Sequence, residues 1–193
     1  MNKNRLEAFS DGVIAIIITI MVLELRLPHG SDWNGLKELA PVFCSYILSF
    51  IFIGIYWGNH HHLLHTVKNV TPGMMWANLN LLFWLSLIPF ATAWMGENHF
   101  VSFPVAVYAV LLLLCGIAFT ILQKTIEATL DNNSAIKNAF KPVYKKGTLS
   151  VIMYTASIPF AYVNTVISGL LFLSVSIMWI IPDKSIEHAL TNE

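Results

Sequence analysis

The sequence predicts an all-α membrane protein with six transmembrane helices and both termini in the cytoplasm. Of its 193 residues, 56% are hydrophobic and only 11% are charged, whereas soluble domains carry about 25% charged residues. The charges are gathered in short segments between long apolar runs. Lysine and arginine also favour alternate connecting segments, which is typical of a chain that crosses a bilayer repeatedly.

Each crossing follows from the length of an apolar run, because about 20 residues are needed to span roughly 30 Å of hydrocarbon. The runs predict a single domain over residues 1–193 with these helices: 6–27, 39–62, 72–94, 101–122, 148–163 and 165–181. The last two share one uncharged stretch that is too long for a single crossing, so we place a turn at Asn164 and Thr165. The polar segment 123–146 is expected to be an interfacial connector.

The orientation follows from the distribution of basic residues. On this topology Arg26 and Lys37 lie on one side of the membrane. Nine basic residues lie on the other side: Lys3, Arg5, Lys68, Lys124, Lys137, Lys141, Lys145, Lys146 and Lys184. The positive-inside rule places the second group in the cytoplasm. A cleaved secretory signal is not expected, because Asp11 interrupts the N-terminal apolar run and no small-residue cleavage site follows.

Several classes of function are disfavoured by the same sequence. A net charge of zero without a basic face gives no reason to expect a nucleic-acid partner. We find no G-x-S-x-G, C-x-x-C or G-x-x-x-x-G-K motif and no pair of carboxylates on one apolar helix face, so an enzyme is not expected. Cys44 and Cys115 lie in apolar runs and are expected to be buried free thiols.

The first helix joins a polar head directly to an apolar run. Arg5, Ser10 and Asp11 precede twelve residues, 12–23, whose only side-chain hydroxyl is that of Thr19. A carboxylate near a membrane-length helix is costly, by about 2.5 to 3.5 kcal/mol at the bilayer centre. Asp11 is therefore expected to have a polar partner or a function.

An apolar stripe follows this head at helical spacing. It consists of Ile16, Ile20, Leu23 and Leu27, and Asp11 points about 140° away from Ile16 at ~100° per residue. Because every face of this helix is apolar, periodicity leaves open whether the stripe packs, faces lipid or lines a pore. Thr19 is expected to hydrogen-bond to its own backbone.

The second helix ends in a histidine-rich segment that contains His60, His61, His62 and His65. Only His61 and His65 share an i, i+4 face, and neither a cysteine nor an H-E-x-x-H glutamate is nearby, so a metal site is not expected. We expect the imidazoles to partner Ser10 and Asp11. Snorkelling of the histidines to the lipid interface is the alternative.

Several motifs together resemble a known family. They are R-x-x-x-F-S-D at residues 5–11, A-I-x-x-T-x-x-V-L-x-L at 15–25, Y-W-x-N-H-H at 56–61, L-N-L-L at 79–82 and I-P-F-A-T-A-W at 88–94. This pattern resembles the prokaryotic branch of the transmembrane protein 175 family, that of the lysosomal potassium channel without a T-V-G-Y-G filter. The resemblance covers most of the chain and is densest over the first three predicted helices.

The resemblance implies a potassium-preferring cation channel in a prokaryotic plasma membrane. It implies a homotetramer, because the F-S-D head occurs once here, with the first helix of each subunit lining the pore. Ile16 would form the narrowest ring, Ile20 and Leu23 further apolar layers, and Thr19 the hydroxyl linked to potassium preference. No cofactor is implied, and no metal other than the permeant K⁺.

The resemblance also implies a polar network that holds the first helix in register. Its members would be Arg5, Phe9, Ser10, Asp11, Trp57, His60, His61 and Asn78. From the residues alone, a buried amide such as Asn78 indicates a contact between helices more often than a ligand site.

A secondary transporter or proton-coupled carrier is the alternative function, with Asp11, His60 and His61 as the protonatable relay. Such carriers usually contain an internal repeat and paired broken helices at mid-depth, and the sequence shows neither. A membrane protein with a structural role and no ion flux is also compatible with the residues.

Overall fold

The computed structural model describes residues 2–28, 32–130 and 135–180, and this part of the chain is helical with no β-strand. The helices are α1 Lys3–Leu23, α2 Trp33–Glu38, α3 Ala40–His65, α4 Pro72–Ser86, α5 Ile88–Glu97, α6 Ser102–Glu127, α7 Ala135–Val163 and α8 Thr165–Ile180. The predicted all-α class is confirmed. Residues 29–31, within the predicted first turn, lie outside the described residues, as do Ile181 and Lys184.

The first helix is shorter at its end than predicted. α1 begins after Asn2, whose side chain accepts a hydrogen bond from the Asn4 N–H, and it ends at Leu23 instead of residue 27. Its 21 residues span about 31 Å at ~1.5 Å per residue, which matches the hydrocarbon thickness. Two features of the sequence favour this early end. Glu24 and Arg26 are charged and are therefore more stable at the membrane surface than in hydrocarbon. Pro28 disfavours helical geometry in the preceding residue.

A short helix that the sequence analysis missed precedes the second crossing. α2 is capped by Asp32, whose carboxylate accepts from the Gly35 N–H at 3.0 Å. α3 then continues to His65, three residues beyond the predicted end at 62. The extension is stabilised by burial of Leu63 and Leu64 against the rest of the bundle.

The third crossing is broken, although we predicted one helix over 72–94. α4 ends at Ser86 and α5 begins at Ile88, with Leu87 between them. Pro89 is the cause, because its ring excludes the carbonyl of residue 85 and it has no N–H to donate. The combined run Pro72–Glu97 is nevertheless long and apolar enough to cross a membrane.

The described part of the predicted connector 123–146 is largely helical, and residues 131–134 lie outside the described residues. α6 extends to Glu127 and α7 already begins at Ala135, so both are longer than the predicted ranges 101–122 and 148–163. The polar segments remain helical because each buries an apolar side: Ile126 on α6 and Phe140 on α7 are fully buried. The Tyr144 hydroxyl donates to the Glu127 carboxylate and joins the two helix ends.

The last two helices form a hairpin with a one-residue break at Asn164, between Val163 and Thr165. The Asn164 side chain accepts from the Val166 N–H at 2.9 Å, an Asx turn that starts α8. Near the other end of the hairpin the Trp179 indole N–H donates to the Ser150 hydroxyl at 2.8 Å. The turn lies where the sequence analysis placed it.

Contacts at the helix ends show how the crossings alternate. The start of α1 meets the end of α3, where Lys3 Nζ donates to the His65 carbonyl at 3.2 Å. The start of α4 meets the end of α6, since a Cβ added at Gly73 would lie 3.6 Å from Thr125 Cγ2. The opposite ends of α1 and α5 are joined by an Arg26–Glu97 ion pair at 2.9 Å. Among the described residues, four runs are long and apolar enough to cross a membrane: Lys3–Leu23, Ala40–His65, Pro72–Glu97 and Ser102–Glu127.

The middle of the bundle holds a buried hydroxyl cluster that joins α3, α5 and α6. The Thr92 hydroxyl lies 2.6 Å from that of Ser49, which lies 2.8 Å from the Tyr108 hydroxyl. Cys115 is buried as predicted, but Cys44 is exposed, so that half of the prediction was wrong. The buried face of this part of α3 carries Ser45 and Ser49, and Cys44 points about 100° away from Ser45.

The contact between α3 and α5 requires a residue without a side chain at Gly96. A Cβ there would lie 2.5 Å from Ser45 Oγ and 2.7 Å from Val42 Cα. Because the second neighbour is backbone, the two helices would have to separate. Small residues that allow close approach are typical of helix contacts in membranes.

We expect Gly96→Ala to lower the thermal stability of the purified protein, with a loss of about 1–3 kcal/mol from overpacking. The matched control is Gly54→Ala in α3, where an added Cβ meets nothing within 4 Å and alanine favours the helix. Thermal unfolding in detergent, followed by circular dichroism, measures both variants. Equal melting temperatures for the two would contradict the close contact at Gly96.

Candidate functional site

The two sides of α1 have different surroundings within the subunit. Its packed side buries Leu6, Ser10, Ile14, Ile17 and Met21. The predicted stripe lies on the other side, with Ile16, Ile20 and Leu23 exposed by 58%, 41% and 80%. Thr19 is exposed on this side too, and its hydroxyl donates to the Ile16 carbonyl at 2.8 Å. The stripe therefore does not belong to the core of the subunit.

A chain of buried hydrogen bonds fixes the packed side of α1 to α4 and α3. The Ser10 hydroxyl donates to the Leu6 carbonyl at 2.8 Å and accepts from the Asn78 amide nitrogen at 2.8 Å. Asn78 Oδ1 lies 2.7 Å from His60 Nε2. Because that amide oxygen can only accept, the His60 proton lies on Nε2. Each of the three side chains is at most 1% exposed. His60 thus donates to Asn78, Asn78 donates to Ser10, and Ser10 donates to the Leu6 carbonyl.

Asp11 has a different partner from the one expected. Its carboxylate accepts from the Trp57 indole N–H at 3.0 Å, so the expectation of an imidazole partner for Asp11 was wrong. The Trp57 indole reaches the Asp11 carboxylate because the two side chains lie on facing sides of α3 and α1. Trp57 precedes His61 by one turn of α3. Trp57 is 49% exposed, and its ring stacks on that of His61 with centroids 6.3 Å apart.

Glu7 is a member of the site that the sequence analysis missed. Its carboxylate lies 3.1 Å from His61 Nδ1 and 4.0 Å from His65 Nε2. Lys3, Glu7 and Asp11 are spaced at i, i+4 and i+8 and all reach α3. This spacing, together with the shared face of His61 and His65, was the signal in the sequence that could have found Glu7.

Arg5 and Phe9 are not part of the network within the subunit. Both are exposed, and within the described ranges the Arg5 side chain forms no ion pair or hydrogen bond. The structure thus brings together six of the eight predicted network residues: Ser10, Asp11, Trp57, His60, His61 and Asn78. The other two lie on the outer surface of α1.

Comparisons with known proteins identify the family. A family profile described as endosomal/lysosomal potassium channel TMEM175 matches residues 5–89. A protein from Chryseobacterium sp. (strain P1-3), named a potassium channel, is 50% identical over 190 residues, which are 98% of this chain and 98% of that protein. The chain belongs to the TMEM175 family. A protein of Streptomyces collinus, also named a potassium channel, is 35% identical over 128 residues, 62% of each chain.

A solved TMEM175 structure has the same fold. The crystal structure of a lysosomal potassium-selective channel TMEM175 homologue from Chamaesiphon minutus matches with a TM-score of 0.81 and 25% identity, covering 94% of this chain and 97% of that one. The range matched by the TMEM175 profile, 5–89, contains the α1 head, the stripe and every network residue named above. These relatives favour an ion channel over the carrier that the sequence left as an alternative.

We expect Asn78→Ala to destabilise the protein by about 1–3 kcal/mol, because it leaves the His60 Nε2–H buried without an acceptor and removes the amide that donates to the Ser10 hydroxyl. Asn80→Ala is the matched control, since the hydrogen bond that its side chain accepts within the described ranges is local, from the Trp84 indole in the same helix at 3.2 Å. Chemical or thermal unfolding of the purified variants provides the measurement. A loss for Asn80→Ala as large as that for Asn78→Ala would argue against the buried chain.

Proposed function

We propose that this protein is a potassium-preferring cation channel in which α1 of each subunit lines the pore. The observation that carries the proposal is the division of α1 into two sides. One side is packed and hydrogen-bonded, while the other leaves Ile16, Thr19, Ile20 and Leu23 uncovered. The TMEM175 relatives named potassium channels support K⁺ as the permeant ion.

The proposed assembly is a homotetramer in a prokaryotic plasma membrane. Leu23 is 80% exposed at the end of an apolar helix, and four copies of α1 meeting at an axis would cover this side. The exposed Arg5 and Phe9 would then contact a neighbouring subunit. In this proposal the α7–α8 hairpin adds two crossings to the four long ones, for six per subunit. An even number puts both termini on one side, and the positive-inside rule makes that side the cytoplasm.

The stripe would act as a hydrophobic gate. A ring of isoleucines offers no oxygen to replace the hydration shell of an ion, so ions pass only when the ring is wide enough to hold water. Ile16 is the stripe residue nearest to the braced head of α1, which makes it the proposed narrowest layer. Ile20 and Leu23 would form two further layers towards the other end of the helix.

The network would hold this ring in register. α1 is anchored in two directions, to α4 through Asn78 and to α3 through Trp57 and the histidines. Without these contacts an apolar helix can rotate about its axis at little cost, because its faces are alike. The polar head therefore determines which residues face the axis.

We expect Ile16→Asn to raise K⁺ flux several-fold in liposomes, because an amide in the ring lets water remain in the constriction. Ile121→Ala on α6 is the control, since Ile121 is 45% exposed but lies outside α1. Reversal potentials in opposed K⁺ and Na⁺ gradients at fixed pH distinguish passive flux from proton coupling. Unchanged flux in Ile16→Asn would refute the gate.

We expect Thr19→Val to reduce the preference for K⁺ over Na⁺ with little change in protein stability. Valine has nearly the shape of threonine, and the lost bond to the Ile16 carbonyl is exposed and local. The ratio of K⁺ to Na⁺ permeability, measured by the shift in reversal potential, is the test. An unaltered ratio would remove the Thr19 hydroxyl from the selectivity mechanism.

A further inference from the structure

We propose that Glu7, His61 and His65 bind a divalent transition-metal ion of the zinc class. One ligand atom from each residue lies within 4.8 Å of the other two. The carboxylate comes from α1 and both imidazoles from α3, so the site lies between the two helices. It is distinct from the proposed ion path, which runs along the opposite side of α1.

The distances are close to those of a coordinated ion. Zinc bonds of about 2.0–2.2 Å to nitrogen and oxygen place tetrahedral ligand atoms roughly 3.3 Å apart. His61 Nδ1 and Glu7 Oε1 are already 3.1 Å apart, and His65 Nε2 lies 4.0 Å from the same oxygen. The imidazole rings are 4.4 Å apart and inclined at 68°. Small side-chain rotations are therefore enough to close the site, with no shift of either helix.

The donor set selects the kind of ion. Two imidazole nitrogens and one carboxylate oxygen suit zinc and its neighbours, whereas Mg²⁺ and Ca²⁺ prefer oxygen ligands alone. Three protein ligands leave a fourth position for water. The His61 and His65 side chains are 42% and 50% exposed, and that of Glu7 is 20% exposed. An ion can therefore enter from solvent while the carboxylate remains partly desolvated.

The sequence pattern alone argued against this site because α3 supplies only two ligands on one face. The third ligand lies more than fifty residues away, and only the packing of α1 on α3 brings it close. Lys3 also lies near, with Nζ held by the His65 carbonyl at 3.2 Å. Its positive charge opposes a cation, so the affinity should be lower than that of a closed structural zinc site.

A bound ion would join the two helices beside the network. Glu7 lies one turn before Asp11 on α1, and His61 lies one turn after Trp57 on α3. The ion would thus add a third link to the contacts that hold the head of α1. We expect it to raise the melting temperature of the protein, because an ion bound only by the folded state stabilises that state.

The test uses the purified full-length protein in detergent, titrated with Co²⁺ and followed by visible absorption, with Zn²⁺ added afterwards as competitor. We expect one ion per subunit, and at least about tenfold weaker binding in Glu7→Gln and in His65→Gln. His62→Gln is the matched control: His62 is exposed in the same histidine run but is not part of the cluster.

Binding that is absent in the unaltered protein, or reduced equally by His62→Gln, would overturn the proposal and leave Glu7 with a hydrogen-bonding role only. The melting temperature without metal shows whether each variant is folded. If Glu7→Gln unfolds, His65→Gln decides the question, since its side chain is half exposed. The assay needs no ion flux, so its outcome is separate from that of the channel proposal.

Discussion

The buried hydrogen bonds from His60 through Asn78 to Ser10 are the constraint on which the arrangement of α1 depends. They lie among apolar side chains, where a polar group without a partner is costly. The bonds from His60 to Asn78 and from Asn78 to Ser10 form only when α1, α3 and α4 adopt one relative rotation. An apolar helix has no such preference by itself, because its faces bury similar side chains. A few polar atoms therefore specify a geometry that the much larger apolar area leaves undetermined.

The same contacts explain why one side of α1 remains uncovered. Ser10 and Asp11 face α4 and α3, so residues on the other side of the helix cannot pack within the subunit. Apolar exposure alone says little in a membrane protein, since lipid covers apolar side chains well. Exposure opposite a buried polar anchor is more informative, because the anchor fixes that orientation and a rotation that would bury the stripe breaks it.

Much of the fold was predictable from apolar length and charge, including the helical class and the turn at Asn164. Helix ends were less predictable. The break at Leu87 depends on Pro89, and the continuation of α7 through a lysine-rich segment depends on burial of Phe140. In the site, the quoted family motifs contained five of the six residues that the structure brings together, and the sixth, Asn78, directly precedes one of them. Glu7 was missed because its partners, His61 and His65, are distant in sequence. Asp11 faces the Trp57 indole instead of an imidazole, because the packing of α1 on α3 determines which turn of α3 lies level with Asp11.

The polar contacts of α1 are unevenly distributed along its length. At its N-terminal end, Lys3, Glu7 and Asp11 each engage α3, whereas at the other end the described contacts include one exposed ion pair, Arg26–Glu97. Such a pair contributes little, about 0–1 kcal/mol. Beyond Asp11 the packed side of α1 is held by the apolar side chains of Ile14, Ile17 and Met21. Apolar packing is not directional, whereas hydrogen bonds are. Thermal twisting about the helix axis should therefore be restrained most strongly at Asp11 and least near Leu23.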